Sequence, residues 1–121
     1  LLPESEDLMS LDVLELGRKL RHGPYAKQGG CNINWVQAIQ GENAYAIRTY
    51  ERGVEAETLS CGTGAVAAAL VIHQVDQVSS PIELEAKGGK LIVDFERSDA
   101  GFINIQLTGP VVQVYKGQWP W

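Results

Sequence analysis

A cysteine followed by two closely spaced glycines precedes a long uncharged run in this sequence. Cys61 is followed by Gly62, Thr63 and Gly64, and residues 65–72 carry only Ala, Val, Leu and Ile side chains. That run predicts a buried helix, apolar on nearly all sides. The first amides of a helix have no partner within the helix and lie at its positive end, so they bind carboxylates and phosphates. Because a helix start also favours the thiolate form of cysteine, the spacing predicts a reactive thiol beside an anion site.

A structural role is the alternative for this cysteine, because a buried Cys most often packs as a small hydrophobic residue. Gly62 and Gly64 favour the reactive thiol, since a purely structural helix would not need an open start. The charged pair Glu51-Arg52 lies just upstream and would face the same pocket. A surface ion pair is the alternative explanation for those two residues.

A β-hairpin is predicted between residues 32 and 50, because two alternating stretches flank the turn Gly41-Glu42-Asn43. Asn32 and the Glu51-Arg52 pair then lie at one end of the hairpin. We expect that end to meet the chain as it approaches Cys61. The hairpin therefore predicts one pocket built from three separate segments.

A shorter amphipathic helix is predicted before the hairpin. Ser10 is expected to cap it, with Asp12 in its first turn, and Gly23-Pro24 to end it. His22 then serves as a cation at the helix end, and His73, in the later turns of the apolar helix, is structural. A thiol hydrolase is therefore a weak hypothesis, because neither histidine has a route to the cysteine.

The remaining pattern predicts an α+β fold. Residues 1–10 are expected to form a frayed or displaced lead-in, and the apolar helix to end near residues 75–77. The predicted strands are 32–39, 44–50, 82–86, 90–95, 102–107 and 111–115. Short strands joined mostly by tight turns imply a curled, mostly antiparallel sheet wrapped around one central apolar helix. Trp119 and Trp121 are expected to cover an open sheet edge or to form a tail.

The composition fits one domain with a real core, since the chain has 121 residues and is 45% hydrophobic. A net charge of −5 argues against a nucleic-acid partner. No apolar stretch is long enough for a membrane span, and no signal-peptide pattern is present. Cys31 and Cys61 lack metal-ligand spacing, so we expect no metal and free thiols in a reducing cytosol. The chain begins at Leu1 without a methionine and is expected to be one domain of a longer protein.

Two segments resemble the second-half signature of the diaminopimelate epimerase family. They are Tyr50-Glu51-Arg52-Gly53-Val54 and Glu57-Thr58-Leu59-Ser60-Cys61-Gly62-Thr63-Gly64-Ala65. The resemblance extends from about residue 12 to the corner at residues 107–111. Proline racemases share the Cys-Gly-Thr-Gly turn but not the upstream segment, and phenazine-biosynthesis isomerases share the fold but usually lack this cysteine.

The resemblance implies a cofactor-independent amino-acid epimerase with two similar halves. Each half carries a cysteine at the start of a central helix, and the substrate lies between them. Cys61 matches the catalytic cysteine of the second half, and Arg52 matches the arginine that pairs with the distal carboxylate. The substrate-binding positions of the family match Asn32, Glu51, Arg52, Gly62 and Thr63.

On this resemblance, residues 1–121 form the C-terminal domain of an enzyme that interconverts LL- and meso-2,6-diaminopimelate by two-cysteine proton transfer in the cytoplasm. Neither pyridoxal phosphate nor metal is implied. The first-half cysteine motif is absent, and Cys31 is no substitute because it lies at a strand entrance. The isolated chain is therefore expected to be inactive. Its expected partners are the diaminopimelate substrate and the missing N-terminal half. A second copy is also expected to bind through an uncovered apolar face and form a homodimer. Neither nucleic acid nor membrane is an expected partner.

Two alternatives to this function stay open. One is another amino-acid racemase or epimerase of the same fold, and the other is a non-catalytic binding module that has kept the fold. The chain also has one residue more between Arg52 and Cys61 than the commonest family pattern, in the segment Val54-Glu55-Ala56. This insertion affects the expected position of the Glu51-Arg52 pair.

Overall fold

Six strands and two α-helices form within residues 1–120, the part of the chain that the computed structural model describes. The helices are α1 Val13–His22 and α2 Gly62–Asp76. The strands are β1 Ile33–Ala38, β2 Ala44–Glu51, β3 Ala56–Thr58, β4 Ile82–Ala86, β5 Gly89–Ser98 and β6 Gly101–Thr108. The sheet runs β1-β2-β4-β5-β6, and β3 pairs with the far end of β2. Only β2 and β4 run parallel among these pairs, so the predicted α+β class with a mostly antiparallel sheet is confirmed.

The core lies between the sheet and α2, which contacts β1, β4, β5 and β6. The buried helix residues are small or aliphatic, namely Gly64, Ala65, Ala68, Ala69 and Ile72. The prediction of a buried helix is confirmed for this face of α2 and is wrong for another face in the described chain. Val71 and Val75 are 47% and 63% exposed, because no second layer lies over that side of the helix within residues 1–120.

The predicted hairpin is formed by β1 and β2, with Ile33 opposite Tyr50. Strand β3 is not among the predicted strands. It pairs antiparallel with β2, so that Glu51 lies opposite Ala56. Three residues are too few to show the alternation that identifies a strand. The turn of residues 52–55 between β2 and β3 places Glu55 in the left-handed region, at a φ of 60°. This small hairpin carries the chain toward Cys61.

The start of the chain differs from the prediction. Asp12, and not Ser10, caps α1, because its side chain accepts a hydrogen bond from the Glu15 amide at 2.9 Å. Ser10 instead ends a short 3-10 helix of residues 8–10. This segment is not a frayed lead-in, since Leu8 is only 1% exposed. The Leu2 amide also donates to the Val36 carbonyl at 2.8 Å.

The predicted last strand, residues 111–115, is wrong. The segment forms no strand, and Val111 is 94% exposed. Its apolar pattern favours an extended conformation, but a strand also needs a neighbour to pair with, and none lies beside it within residues 1–120. Trp119 is exposed and covers no sheet edge, while Trp121 lies outside the described residues.

A buried charge cluster ties the first segment to the sheet. Arg48, whose side chain is 9% exposed, donates to both carboxylate oxygens of Glu57, at 2.6 and 2.8 Å. Its remaining nitrogen donates to the carbonyls of Leu8, Met9 and Leu11. Lys87 also donates to Glu57, at 2.7 Å. Hydrogen bonding from Arg48, with a smaller contribution from Lys87, lowers the pKa of Glu57 to about 2.

Replacing Glu57 by glutamine is expected to lower stability near neutral pH and to weaken its acid dependence. Because the pKa of Glu57 falls from 4.5 to about 2 on folding, its carboxylate contributes stability above pH 4.5 that is lost as the pH approaches 2. Hydrogen bonds to charged groups contribute about 2 kcal/mol, which is the expected cost of Glu57→Gln. Thermal unfolding followed by circular dichroism across this pH range measures both effects. Glu83→Gln, which removes a more exposed pair with Lys90, is the control, and an acid slope unchanged in Glu57→Gln would contradict the prediction.

Candidate active site around Cys61

Cys61 occupies the cap position at the start of α2. Its backbone is extended, with φ −133° and ψ 107°, and its side chain makes no capping hydrogen bond. The first helical bond runs from the Ala65 amide to the Cys61 carbonyl at 2.9 Å. The preceding amides, of Gly62, Thr63 and Gly64, therefore have no partner within the helix. No acidic residue lies in this first turn, so the positive end of α2 is open to an anion.

The sulfur lies among polar side chains. Asn32 Nδ2 donates to Cys61 Sγ at 3.4 Å, and Thr63 Oγ1 lies 3.5 Å from the same sulfur. Cys61 is 7% exposed, yet it is not part of the main apolar cluster under α2, and Thr63 beside it is exposed. With an N–H donor and a hydroxyl group at the sulfur, this surrounding differs from the apolar one of a packing cysteine.

Arg52 reaches the same site through its main chain. Its amide donates to Asn32 Oδ1 at 2.9 Å, so the two ends of the β1–β2 hairpin meet as predicted. Because the side-chain oxygen of Asn32 faces Arg52, the side-chain nitrogen of Asn32 faces Cys61. The Arg52 guanidinium donates to the Gly30 carbonyl at 3.3 Å. It joins no ion pair within residues 1–120, so the surface-pair interpretation of Glu51-Arg52 does not hold there.

Glu51 takes part through its backbone only. Its carbonyl accepts a hydrogen bond from the Glu55 amide at 2.8 Å, which closes the 52–55 turn. Its partly buried side chain forms no hydrogen bond or ion pair with other residues of the described chain. The structure thus brings Asn32, Arg52, Cys61 and Thr63 together and leaves the Glu51 carboxylate uncommitted.

Asn34, which sequence reasoning did not assign to the site, sets the position of the helix start. A β-carbon on Gly64 would lie 2.4 Å from Asn34 Oδ1 and 3.3 Å from Cys61 Sγ. Thr49 Oγ1 donates to the same Asn34 oxygen at 2.8 Å and holds it in place. The only signal for this contact in the sequence is the second glycine, which the close approach requires.

The remaining candidates form no hydrogen bond with the Cys61 sulfur within residues 1–120. Cys31 is a free, partly exposed thiol that precedes β1. His22 lies 3.3 Å from Glu55 at the end of α1. His73 pairs with the Val78 carbonyl at 2.7 Å and packs edge-on against Phe95, which fits its predicted structural role.

Two cavities of the described chain do not have Cys61 in their lining. One of about 360 Å³ is lined by residues 42–44, 79–81 and 83. Another of about 150 Å³ lies between β1 and α2, beside Val36 and Ala68.

Within residues 1–120 no three His, Cys, Asp or Glu side chains are grouped as metal ligands. Neither α-helix in this range has the length and apolarity to cross a membrane.

Solved structures define the class of this fold. A protein from Clostridium difficile described as a phenazine biosynthesis PhzC/PhzF protein has a TM-score of 0.51 and 28% identity over 67% of this chain and 29% of its own. A PhzF-family phenazine biosynthesis protein from Bacillus anthracis has a TM-score of 0.54 over 78% of this chain and 30% of its own; at 20% identity it shows the fold alone. The class is the α+β fold that PhzF-type proteins share with diaminopimelate epimerases.

The sequence identifies the family within that class. The family model described as diaminopimelate epimerase matches residues 4–114, and the chain belongs to this family. Diaminopimelate epimerase of Flavobacterium psychrophilum is 42% identical over 93% of this chain and 44% of its own length. Its counterpart in Chlorobaculum tepidum is 44% identical over 92% of this chain and 42% of its own. The predicted family is confirmed, and the chain spans about two fifths of these relatives.

Replacing Gly64 by alanine is expected to destabilise the chain, because the new methyl group would meet an Asn34 oxygen that Thr49 holds in place. Overpacking of this kind costs about 1–3 kcal/mol. Gly62→Ala is the matched control in the same helical turn, where the nearest atom is a flexible Leu107 methyl at 3.0 Å. Urea denaturation of both variants measures the difference. Equal losses would contradict the proposed contact.

Proposed function

We propose that this chain is the C-terminal part of a diaminopimelate epimerase and that Cys61 is one of its two proton-transferring thiols. The reaction would interconvert LL- and meso-2,6-diaminopimelate. Family membership and the names of the relatives support the substrate. The observation that carries the role of Cys61 is its sulfur at the open start of α2, with Asn32 donating to it.

Proton removal from the α-carbon of an amino acid is difficult because that carbon is a very weak acid. In the proposed step the Cys61 thiolate takes the α-proton, so the C–H bond breaks and an S–H bond forms. The electron pair moves into the substrate carboxylate, whose growing charge the first amides of α2, from Gly62 and Thr63, would stabilise. A thiol on the opposite face then returns a proton to carbon and inverts the centre. This scheme requires neither pyridoxal phosphate nor metal.

Arg52 is the proposed partner of the distal carboxylate. Its guanidinium is exposed and takes part in no ion pair within the described chain, so its charge is available to a ligand. The planar fork of arginine binds both oxygens of a carboxylate. Glu51, whose side chain is also uncommitted, is proposed as its neighbour at the site.

The second thiol would come from an N-terminal half, and this chain covers only 44% and 42% of the two relatives named above. Cys61 lies outside both cavities described above, and Val71 and Val75 leave one side of α2 uncovered. A second half over this face would enclose the substrate and bury the apolar surface. We place the protein in the reducing cytosol, where free Cys31 and Cys61 persist, and include a homodimer among its proposed assemblies.

Joining the missing part of a relative to this chain should produce an active epimerase. In the chimera, residues 4–114 replace the corresponding segment of the Flavobacterium psychrophilum enzyme. We expect it to epimerise diaminopimelate and to incorporate deuterium from heavy water at the α-carbon. The 121-residue chain alone should do neither. Cys61→Ser should abolish turnover, while Cys31→Ser, the matched control, should preserve it.

Other results in this assay would reject the proposal. Turnover by the isolated chain would contradict the two-half arrangement. Turnover by the Cys61→Ser chimera would contradict the catalytic thiol. A non-catalytic binding module would bind diaminopimelate in the chimera without exchanging its α-proton.

Removing the guanidinium of Arg52 should separate diaminopimelate from substrates that lack a distal carboxylate. In the chimera, Arg52→Ala is expected to raise the KM for diaminopimelate by about 10²-fold, since a charge-assisted bidentate pair contributes about 3 kcal/mol. Arg18→Ala, on the exposed side of α1, controls for the lost charge and should have little effect. An unchanged KM in Arg52→Ala would favour another amino acid as the substrate.

A further inference from the structure

We propose that Glu55 is a positioning residue for Cys61. Through the 52–55 turn it holds the Arg52 amide against Asn32, and so directs the Asn32 nitrogen at the Cys61 sulfur. The inference rests on the proposed function of Cys61 and adds a residue to that site.

The Glu55 carboxylate joins the turn to α1. One oxygen accepts from Arg21, at 2.8 and 2.7 Å, and from the Gly53 amide at 3.0 Å. The other accepts from the Tyr50 hydroxyl at 3.0 Å and lies 3.3 Å from His22 Nε2. Tyr50 is fully buried, so the carboxylate is tied both to the core and to the end of α1.

The turn needs such support because its backbone is unfavourable. Glu55 has a φ of 60°, a region that non-glycine residues rarely occupy. Gly53 in the same turn has a φ of 92°. The carboxylate of Glu55 accepts the Gly53 amide, and the Glu55 amide donates to Glu51. Losing the carboxylate would remove one of these two bonds and the anchor on α1.

Arg52 transmits the position of the turn to the sulfur. Its amide donates to Asn32 Oδ1 at 2.9 Å, and Asn32 Nδ2 donates to Cys61 Sγ at 3.4 Å. The Asn32 nitrogen also donates to Thr63 Oγ1 at 3.5 Å, so the Arg52 amide provides the shortest of the three bonds that orient this side chain. If the Arg52 amide moved away, only the two longer bonds would oppose a rotation that presents the Asn32 oxygen to the sulfur. An oxygen there would disfavour the thiolate, whereas the N–H group favours it.

A purely structural role for Glu55, as an anchor for α1, is the alternative. Glu57 provides the matched control because it is also a carboxylate paired with an arginine, and hydrogen bonding lowers its pKa to about 2 as well. Glu57, however, holds residues 8–11 through Arg48 and does not contact the turn. The other charged groups around the turn stay unchanged in every variant; they are Arg21, His22, Glu51 and Arg52.

The experiment uses the 121-residue chain with Cys31→Ser, so that Cys61 is its only thiol. The rate of alkylation by iodoacetamide is measured from about pH 6 to about pH 10, across the range where thiols ionise. Exchange of the Arg52 amide hydrogen is followed by NMR in the same samples. The variants are Glu55→Ala, Glu55→Gln and Glu57→Gln.

Glu55→Ala is expected to move the pH midpoint of alkylation upward and to slow the reaction near neutral pH by about fivefold. Exchange of the Arg52 amide should accelerate by about tenfold, because its acceptor is no longer held. Glu55→Gln keeps an oxygen for the Gly53 amide and should give smaller changes in the same direction. Glu57→Gln should leave the pH midpoint of alkylation unchanged, because Glu57 does not contact the turn.

If the pH midpoint of Cys61 alkylation does not move in Glu55→Ala, the inference is overturned. This holds when the alkylation rate is unchanged, and also when it rises equally at every pH, which would indicate a general loosening of the chain. If Glu55→Ala loses cooperative unfolding, Glu55→Gln decides by the same criterion. A different result would overturn the proposed function. In that result Cys61, measured in the chain with Glu55 intact, ionises no more readily than Cys31, measured in the Cys61→Ser chain. That result would overturn both proposals, whereas a readily ionised Cys61 that is insensitive to Glu55 would overturn this inference alone.

Discussion

The close approach of α2 to β1 at Gly64 and Asn34 fixes where the helix begins, and everything proposed for the site depends on it. The first helical turn lies directly against the strand, so closely that a side chain at position 64 would meet the Asn34 oxygen. Cys61 is then held at the cap position, where serine or aspartate would usually bind the first amides. Those amides are left without a capping side chain, which costs the helix stability. Packing of Ala65, Ala69 and Ile72 under the sheet offsets that loss, so the helix start is available to a ligand.

The arginines around the β2–β3 hairpin differ in whether they form an ion pair with a carboxylate. Arg21 is paired with Glu55, and Arg48 with Glu57, in ion pairs whose guanidinium groups are largely buried. Both carboxylates have a pKa of about 2, so each stays ionised throughout the neutral range. Arg52 follows both of these arginines in the chain and has no carboxylate partner within residues 1–120. Of the three arginines, Arg52 is therefore the one left for a ligand, and the Arg21–Glu55 pair holds the turn that carries it.

Much of the site was predictable from the sequence because the signals are local. The glycines after Cys61, the apolar run and the hairpin turn each lie within a few residues of the feature that they predict. The missed features depend on contacts between distant segments. Asn34 matters only because Gly64 packs on it, and the first residues are ordered because Arg48 binds their carbonyls from β2. A three-residue strand such as β3 is defined by its partner and has no pattern of its own.

The wrong prediction for the surroundings of α2 has a physical explanation under the proposed two-half arrangement. A helix that is apolar on all sides is stable in water only when every side is covered. In the described chain the sheet covers one side, while Val71 and Val75 remain exposed on another. The matched relatives are more than twice as long as this chain, so they contain enough additional protein to cover that side. In that arrangement one second layer would both bury the two valines and supply a wall for the proposed site at Cys61.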